Sequence, residues 1–232
     1  MGKPVAKKPA ARPPAKAAPP PMAPATHHDE GEHRLVHRLL FFTDAVFAIA
    51  MTLLVLELKP PVAESGEDLM AALRAMGGHF TAFTMSFALA GVFWVAHMNT
   101  LRKLEHFDWL TVWANLVFLF AVTLIPFSTA LLGEAGYGPQ AWQIYSVQMI
   151  FTSAATTTLL LVASRGGGRL MGGMDGRERA YRAVRAMSPG IAFAIGWAAA
   201  GTGQMALAHG CWLLIPVIFG VARLTIGRKP LA

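Results

Sequence analysis

The chain has 232 residues, of which 54% are hydrophobic and 14% are charged, and its formal net charge is +7. Soluble domains carry about 25% charged residues, so this composition excludes an ordinary soluble enzyme and an intrinsically disordered protein. The single cysteine, Cys211, excludes a disulfide framework and any zinc or iron–sulfur site built from several cysteines.

Residues 1–33 are predicted to form a separate, disordered and basic cytoplasmic tail. Residues 1–28 contain eight prolines, eight alanines and five lysine or arginine residues. Such a segment has little apolar surface to bury and does not fold by itself. The simplest interpretation is a solvated tail, and the alternative is attraction to anionic lipid headgroups, at about 1 kcal/mol per cation. A predicted transmembrane domain follows over residues 34–228.

The transmembrane domain contains six apolar segments, which predict an all-α membrane protein. A helix needs about 20 residues to cross the hydrocarbon core of a bilayer, and the first five segments meet that length. The segments run over Leu39–Leu58, Leu69–Ala96, Trp109–Leu132, Ala141–Ser164, Ser188–Ala208 and Cys211–Ile226. The last two are separated only by His209 and Gly210, so we expect a tight helical hairpin there.

The distribution of lysine and arginine predicts the orientation of the six helices. If the N-terminus is cytoplasmic, 18 cations fall on that side and only Lys59 and Arg74 fall on the other. Cytoplasmic loops carry the excess of lysine and arginine, so both termini are predicted inside. The excess of positive charge is therefore explained by its place on the cytoplasmic side of a lipid bilayer. Nucleic acid is not needed as a partner. Richness in Ala, Arg, Gly and Pro favours the plasma membrane of a bacterium.

The first helix has one continuous face along its whole length. On a helical wheel of 100° per residue, six residues fall within about 60° of Ile49. They recur mostly at spacings of three and four: Arg38, Phe42, Ala45, Thr52, Leu53 and Leu56. A stripe of this kind is more often a packing face than the lining of a pore. Asp44 falls about 140° away from Ile49, and a carboxylate within a membrane must find a partner.

Two glycine-rich loops contain stretches that could be taken for ligand-binding motifs. Gly136, Tyr137 and Gly138 match the last three residues of a potassium-filter sequence, but no Thr-Val precedes them and the loop contains no pore helix, which favours a glycine-rich turn. The glycine-rich inner loop Arg165–Arg185 is predicted to be a flexible linker. Ser188, before Pro189, is predicted to cap the fifth helix. We expect no resident metal ion, because His209 and Cys211 alone do not form a site.

Three motifs resemble the transmembrane protein 175 family of bacterial potassium channels. Its Arg-x-x-x-Phe-Ser-Asp signature is matched by Arg38, Phe42, Thr43 and Asp44, with threonine in place of serine. A second motif, Phe-Trp-x-x-His, is matched by Phe93, Trp94 and His97. A third, Asn followed by Pro-Phe, is matched by Asn115, Pro126 and Phe127. The resemblance covers residues 34–130, and the last three helices match in number, length and topology.

The resemblance implies a potassium-selective homotetramer of six-helix subunits, lined by the first helix and lacking a re-entrant filter loop. It implies an apolar constriction at Ile49, with further pore-lining positions at Leu53 and Leu56. It also implies that the Thr52 hydroxyl, near which the permeant potassium would pass, contributes to selectivity. No cofactor is implied.

The remaining motif residues are expected to form a structural network behind the pore. Trp94 and His97 are three residues apart and therefore share a helix face. We expect them to hold Asp44, together with Thr43, and to lock the first helix against the second. The alternative is that Asp44 binds a transported ion. We expect Arg38 to compensate charge from a neighbouring helix or subunit.

A secondary transporter of a cation on the same six-helix scaffold is the alternative function. Pro126 and Pro216 interrupt the third and sixth helices, and paired interruptions are typical of transporters. No midplane cluster of acidic residues accompanies them in the sequence. An enzyme is disfavoured, because no nucleophile lies near His97 in the sequence.

Overall fold

The computed structural model describes residues 27–60, 69–106 and 108–226, and all regular structure in that part of the chain is helical. The α-helices are α1 (His27–Leu53), α2 (Leu69–Ala75), α3 (Gly77–Leu101), α4 (Trp109–Thr123), α5 (Ile125–Glu134), α6 (Pro139–Ala163), α7 (Arg165–Gly168), α8 (Gly176–Gly201), α9 (Met205–Gly210) and α10 (Leu214–Thr225). Short 3₁₀ turns cover Leu54–Glu57, Arg169–Met171 and Cys211–Leu213.

Six helical stretches in the described residues are long and apolar enough to cross a membrane. We number them as spans in chain order: Arg34–Glu57, Gly77–Leu101, Trp109–Glu134, Pro139–Ala163, Gly176–Gly201 and Met205–Thr225. The predicted all-α, six-helix membrane fold is therefore confirmed. It is a multi-pass arrangement.

The predicted boundaries of the last two spans are wrong. The fifth span begins at Gly176 rather than Ser188, and the turn to the sixth lies at residues 202–204 rather than at His209 and Gly210. Asp175 caps α8 by accepting a 2.6 Å hydrogen bond from the backbone N–H of Glu178. Ser188 and Pro189 lie inside the helix, and the Ser188 hydroxyl donates to the Arg185 carbonyl at 2.8 Å. The first turns of this helix contain several arginines, so the apolar segment in the sequence begins later than the helix does.

The first helix begins earlier than the predicted end of the tail. Most of the tail, residues 1–26, lies outside the described residues, but residues 27–33 form the first turns of α1. The prolines that predict disorder end at Pro24, and the next proline in the chain is Pro60. Nothing in residues 27–33 therefore interrupts a helix that continues into the first span.

The third span is divided into two helices at the expected proline. α4 ends at Thr123 and α5 begins at Ile125, with Pro126 in its first turn. Proline lacks a backbone N–H and is best tolerated in the first turn of a helix. At the break, the Ala121 carbonyl accepts two hydrogen bonds, from the Leu124 backbone N–H at 3.3 Å and from the Gln148 amide at 2.7 Å.

The fourth and fifth spans form the centre of the bundle. Trp142, Tyr145 and Met149 of the fourth span are completely buried, and Trp142 and Tyr145 each pack against Phe193 at ring-centroid distances of 6.0 and 5.6 Å. Gly196 allows this close approach, because a Cβ atom there would lie 2.6 Å from the Cys211 sulfur. The large aromatic side chains fill the interior, and the small residue opposite them sets the helix separation.

Ionic contacts show which loops share an end of the bundle. At one end, Arg165 contacts Asp108 at 2.7 Å and Lys103 contacts Glu178 at 2.6 Å. At the other end, Lys59 lies 3.5 Å from Glu134. The first end carries the arginine-rich loop and the start of the fifth span, so the two ends differ strongly in positive charge.

The predicted flexible linker is instead a compact structure. Residues 176–185 belong to α8, and the loop before it contains a 3₁₀ turn at Arg169–Met171. The Leu170 carbonyl accepts a 2.8 Å hydrogen bond from the backbone N–H of Glu105, and Met171 is buried. Gly166, Gly167 and Gly168 have φ values of 63°, 75° and 77°, so α7 is a turn of left-handed glycines rather than a regular α-helix. These left-handed conformations favour glycine, so the glycines shape a tight turn rather than provide flexibility.

Candidate functional site

The first span packs into the bundle by one face only. Its buried side chains recur at spacings of three and four residues: Val36, Leu39, Thr43, Phe47, Ala50 and Leu54. They contact the second and third spans, and Phe47 packs 5.7 Å from the ring of Phe118. This buried stripe lies on the side of the helix opposite Ile49.

The predicted pore-lining residues lie together on the uncovered face of the first span. Ile49 is 59% exposed, Leu53 is 42% exposed and Leu56 is 66% exposed. Thr52 is also exposed, and Leu56 reaches the same face although it lies in the 3₁₀ turn. The single chain therefore presents an apolar strip with one hydroxyl that no other described part of the chain covers.

The Thr52 hydroxyl is oriented by its own helix. Its oxygen lies 2.9 Å from the carbonyl oxygens of both Ala48 and Ile49, so its one hydrogen points back to the backbone. A hydroxyl oxygen has two acceptor lone pairs. Because the hydrogen is occupied, the lone pairs are the part of the group available to a cation.

A chain of buried hydrogen bonds joins the first three spans behind this face. The Asn115 amide nitrogen donates to the Thr43 hydroxyl at 3.0 Å, and the Thr43 hydroxyl donates to the Leu39 carbonyl at 2.9 Å. The Asn115 amide oxygen lies 2.7 Å from His97 Nε2. Because that oxygen can only accept, His97 Nε2 carries the proton. All donors in the chain therefore point toward the first span.

Aromatic rings enclose the histidine in this chain. The His97 ring is stacked on Phe118 at 5.1 Å with an angle of 9°, and Phe47 lies 6.1 Å away. His97 and Asn115 are both buried. A buried polar group without a partner costs about 1–3 kcal/mol, so each member of the chain depends on the others.

Asp44 is held by one of its two predicted partners. Trp94 Nε1 donates to Asp44 Oδ1 at 3.0 Å. His97 bonds Asn115 instead of Asp44. It lies on the buried side of the second span, which faces the buried Thr43 of the first span. Asp44 follows Thr43 by one position and is turned outward, where it is exposed in the single chain. The expectation of an enclosed carboxylate shared by Trp94 and His97 is therefore wrong.

The two remaining motif residues, Arg38 and Phe42, lie on the exposed side of the first span. Arg38 makes no hydrogen bond or ion pair with another described residue. The charge compensation that Arg38 is expected to supply from a neighbouring helix is not seen among the described residues, and compensation from a neighbouring subunit stays a prediction. Phe42 is 51% exposed and continues the strip of Ile49 toward the N-terminal end of the span.

Sequence reasoning gave Asn115 no role in the network. A signal was present, because Asn115 is an amide in an otherwise apolar stretch of the third span. Buried polar groups are almost always hydrogen-bonded, so this asparagine had to have a partner. The partner was not predictable, since it depends on how the second and third spans are placed side by side.

The glycine-rich segment between the third and fourth spans is a tight turn. Gly136 and Tyr137 have φ values of 60° and 62°, as expected for a tight turn. The Tyr137 carbonyl lies 3.1 Å from His209 Nε2 and is therefore already engaged. Within the described residues, no three His, Cys, Asp or Glu side chains lie close enough to hold a metal ion.

Comparison with known proteins confirms the resemblance seen in the motifs. Residues 38–126 match a family model described as the endosomal/lysosomal potassium channel TMEM175. The match takes in Arg38, the Thr43–Asn115–His97 chain and Asp44 with Trp94. The chain resembles the TMEM175 family in sequence and in fold. The matched segment contains the first two spans and the third as far as its proline break.

Two curated relatives are similar to the chain over part of their length. A potassium channel of Streptomyces collinus is 37% identical over 97 residues, which are 42% of this chain and 47% of the relative. A potassium channel of Chamaesiphon minutus is 41% identical over 106 residues, or 45% of this chain and 52% of the relative. The chain thus matches about half the length of these relatives.

A solved structure extends the resemblance beyond the matched sequence. The crystal structure of a Chamaesiphon minutus homologue of the lysosomal potassium-selective channel TMEM175 superposes with a TM-score of 0.69 at 27% identity. The superposition covers 82% of this chain and 98% of the other. Since 82% is more than the first three spans contain, the TMEM175-type fold includes spans from the second half.

Proposed function

We propose that the protein is a potassium-selective channel whose pore is lined by the first span. The observation that carries the proposal is the exposed strip of Ile49, Thr52, Leu53 and Leu56 on a helix whose other face is fixed by the motif residues. The two bacterial relatives described above are named potassium channels, which supports it. Four copies around an axis, without a re-entrant loop, would bring the four strips together as a pore.

The proposed pore combines an apolar constriction with a ring of oxygen atoms. Four Ile49 side chains would narrow the path and close it by dewetting. One turn further, four Thr52 oxygens with their hydrogens directed to the backbone would replace part of the hydration shell of a potassium ion. The ion is the permeant species here, and the proposal includes no resident cofactor.

We propose the bacterial plasma membrane as the location, with both termini cytoplasmic. The cation count supports this orientation, as does the collection of the Arg165, Lys103 and Glu178 contacts at one end of the bundle. A membrane-impermeant thiol reagent applied outside cells should label Gln140→Cys and leave Arg169→Cys unlabelled. Both positions are exposed, and the reverse labelling pattern would overturn the orientation.

Reconstitution in liposomes tests the proposed function directly. Potassium flux that resolves as discrete single-channel currents in planar bilayers is expected for a channel. Flux without current steps, and with saturable exchange, would instead show the secondary transporter that the same scaffold allows. Absence of potassium flux from folded, reconstituted protein would contradict both.

Variants of the strip connect the flux to the first span. Ile49→Asn should raise conductance about tenfold, since lowering a barrier by about 1.4 kcal/mol has that effect on a rate and a polar ring is wetted more easily. Thr52→Ala should change the potassium-to-sodium permeability ratio. Val55→Ala is the matched control, because Val55 is 50% exposed but lies about 120° from Ile49 at the centre of the strip. Equal effects at Thr52 and Val55 would show that the strip is not the pore.

A further inference from the structure

The second, fifth and sixth spans enclose a crevice at the arginine-rich end of the bundle. Asn99 from the second span, Arg182 and Arg185 from the fifth, and Phe219 from the sixth line it. The residues that line it include none from the first span, and nothing in the proposed pore uses it. Two guanidinium groups within membrane-spanning helices require compensation.

The two arginines differ in how they are compensated. Arg182 is bound twice, by Glu178 at 2.7 Å and by the backbone carbonyl of Asn99. Arg185 has no carboxylate partner among the described residues. Its guanidinium carbon lies instead 4.8 Å from the centre of the Phe219 ring and 5.7 Å from that of Tyr181. The rings hold the guanidinium in place without neutralising it.

The surrounding charges leave the crevice positive. Glu178, the carboxylate that contacts Arg182, is already shared with Lys103 at 2.6 Å. Arg185 therefore adds a third cation to a region where two cations share one carboxylate. An additional anion is needed to balance Arg185, and an arginine presents parallel N–H donors that suit the oxygens of a phosphate group.

The depth of the crevice matches the headgroup region of a bilayer. Arg182 bonds to the carbonyl of Asn99, which is two residues from the end of α3 at Leu101. Arg185 lies three residues further along α8, about 4.5 Å deeper. The guanidinium of Arg185 therefore lies at the boundary between headgroups and hydrocarbon, where aromatic rings and arginines are both favoured.

We propose that this crevice binds the phosphate of an anionic phospholipid, with Arg185 as its main ligand and Phe219 as the platform that orients it. The side-chain amide of Asn99, on the wall of the crevice, supplies an uncharged donor. The proposal requires only that the protein lies in a membrane, and it stands whether or not the protein conducts potassium.

Native mass spectrometry of the detergent-purified protein, titrated with phosphatidylglycerol or phosphatidylcholine, tests the proposal. Wild type should retain phosphatidylglycerol in preference to phosphatidylcholine. Arg185→Gln should weaken phosphatidylglycerol binding about fivefold or more, from a loss of about 1 kcal/mol per cation. Arg179→Gln removes the same charge from the same helix outside the crevice and should bind as wild type. Equal binding by Arg185→Gln and wild type would overturn the site.

Two further measurements complete the test. Phe219→Leu keeps both arginines but removes the platform, and it should also weaken phosphatidylglycerol binding, which covers the case in which Arg185→Gln does not fold. Wild-type affinity in folded Phe219→Leu would contradict the geometry. Inorganic phosphate should fail to displace the lipid at equal concentration. Displacement would show a site for free phosphate instead of a lipid site.

Discussion

The first and fourth spans are attached to the same bundle in opposite ways. In an apolar 18-residue stretch of the first span 22% of the residues are buried, against 56% in the corresponding stretch of the fourth. The first span packs with apolar side chains such as Phe47, is linked by polar contacts of Thr43 and Asp44, and leaves a whole face free. The fourth buries large side chains of its own, among them Trp142, Tyr145 and Met149. The first span keeps one face available for contacts outside the single chain, whereas the fourth supports the interior of the bundle.

This difference accounts for where the sequence similarity falls. The family model matches residues 38–126, whereas the structural superposition covers 82% of the chain. A hydrogen-bond chain such as His97–Asn115–Thr43 requires particular donors and acceptors at fixed positions. Apolar packing tolerates exchange among side chains of similar volume. The second half of the molecule therefore keeps its shape with less resemblance in sequence.

The largest expected effect comes from breaking the polar attachment of the first span. Asn115→Leu keeps the approximate size of the side chain but leaves His97 Nε2 without its acceptor and Thr43 without its donor. We expect a loss of about 3 kcal/mol, because each buried group left unpaired costs about 1–3 kcal/mol. The change is measured as a lower midpoint of thermal unfolding of the purified protein.

A matched control lies in the fourth span. The buried Ser146 hydroxyl has no hydrogen-bond partner among the described residues. Ser146→Ala should therefore leave stability unchanged or raise it by about 1 kcal/mol. If Ser146→Ala lowers the unfolding midpoint as much as Asn115→Leu, polar attachment is not special to the first span and the contrast between the two spans fails.

The second expected effect tests the scaffold. Gly196→Ala would place a Cβ atom 2.6 Å from the Cys211 sulfur and 3.1 Å from Trp142 Nε1. Overpacking of this kind costs about 1–3 kcal/mol, so the unfolding midpoint should fall. Gly220→Ala in the sixth span meets no atom within 4 Å and should be neutral or slightly stabilising. A midpoint that falls equally in both variants would mean that helix spacing does not depend on Gly196.

The third expected effect concerns the outer part of the attachment. Trp94→Phe removes the indole donor to Asp44 and should cost about 1 kcal/mol, the usual net value of a hydrogen bond. Asp44→Asn keeps an acceptor for Trp94 and should cost less, because the carboxylate is exposed in the single chain. Both variants should keep the potassium-to-sodium permeability ratio of wild type. A stable Asp44→Asn protein with altered selectivity would place Asp44 in the conduction path.

Much of the fold was predictable from the sequence, because apolar length dictates membrane spans. The start of the fifth span was not, since Arg182 is compensated by Glu178 and by the Asn99 carbonyl, and the second of these contacts exists only after folding. The exposed strip on the first span followed from helical spacing. The partner of His97 did not follow from the sequence. Asp44 and Asn115 could each accept a hydrogen bond from His97, and only the packing of the spans decides between them.

The smallest expected effect lies in the contact that joins the two halves. Asp108, before the third span, is bound at 2.7 Å by Arg165, after the fourth, and this guanidinium lowers the pKa of the Asp108 carboxyl below its ordinary value of 3.8. A lowered folded-state pKa contributes stability above the unfolded-state value, and that contribution is lost as pH falls through the folded-state pKa. Arg165→Gln should therefore cost up to about 1 kcal/mol near neutral pH.

The pH dependence distinguishes this ion pair from a packing effect. The difference in unfolding midpoint between wild type and Arg165→Gln should shrink as pH is lowered below 3.8, because Asp108 then becomes protonated in both proteins. Arg169→Gln, in the same loop, removes an exposed cation without a carboxylate contact in the described structure and should match wild type at every pH. A difference for Arg165→Gln that persists at low pH would show that Arg165 joins the two halves by packing rather than by charge.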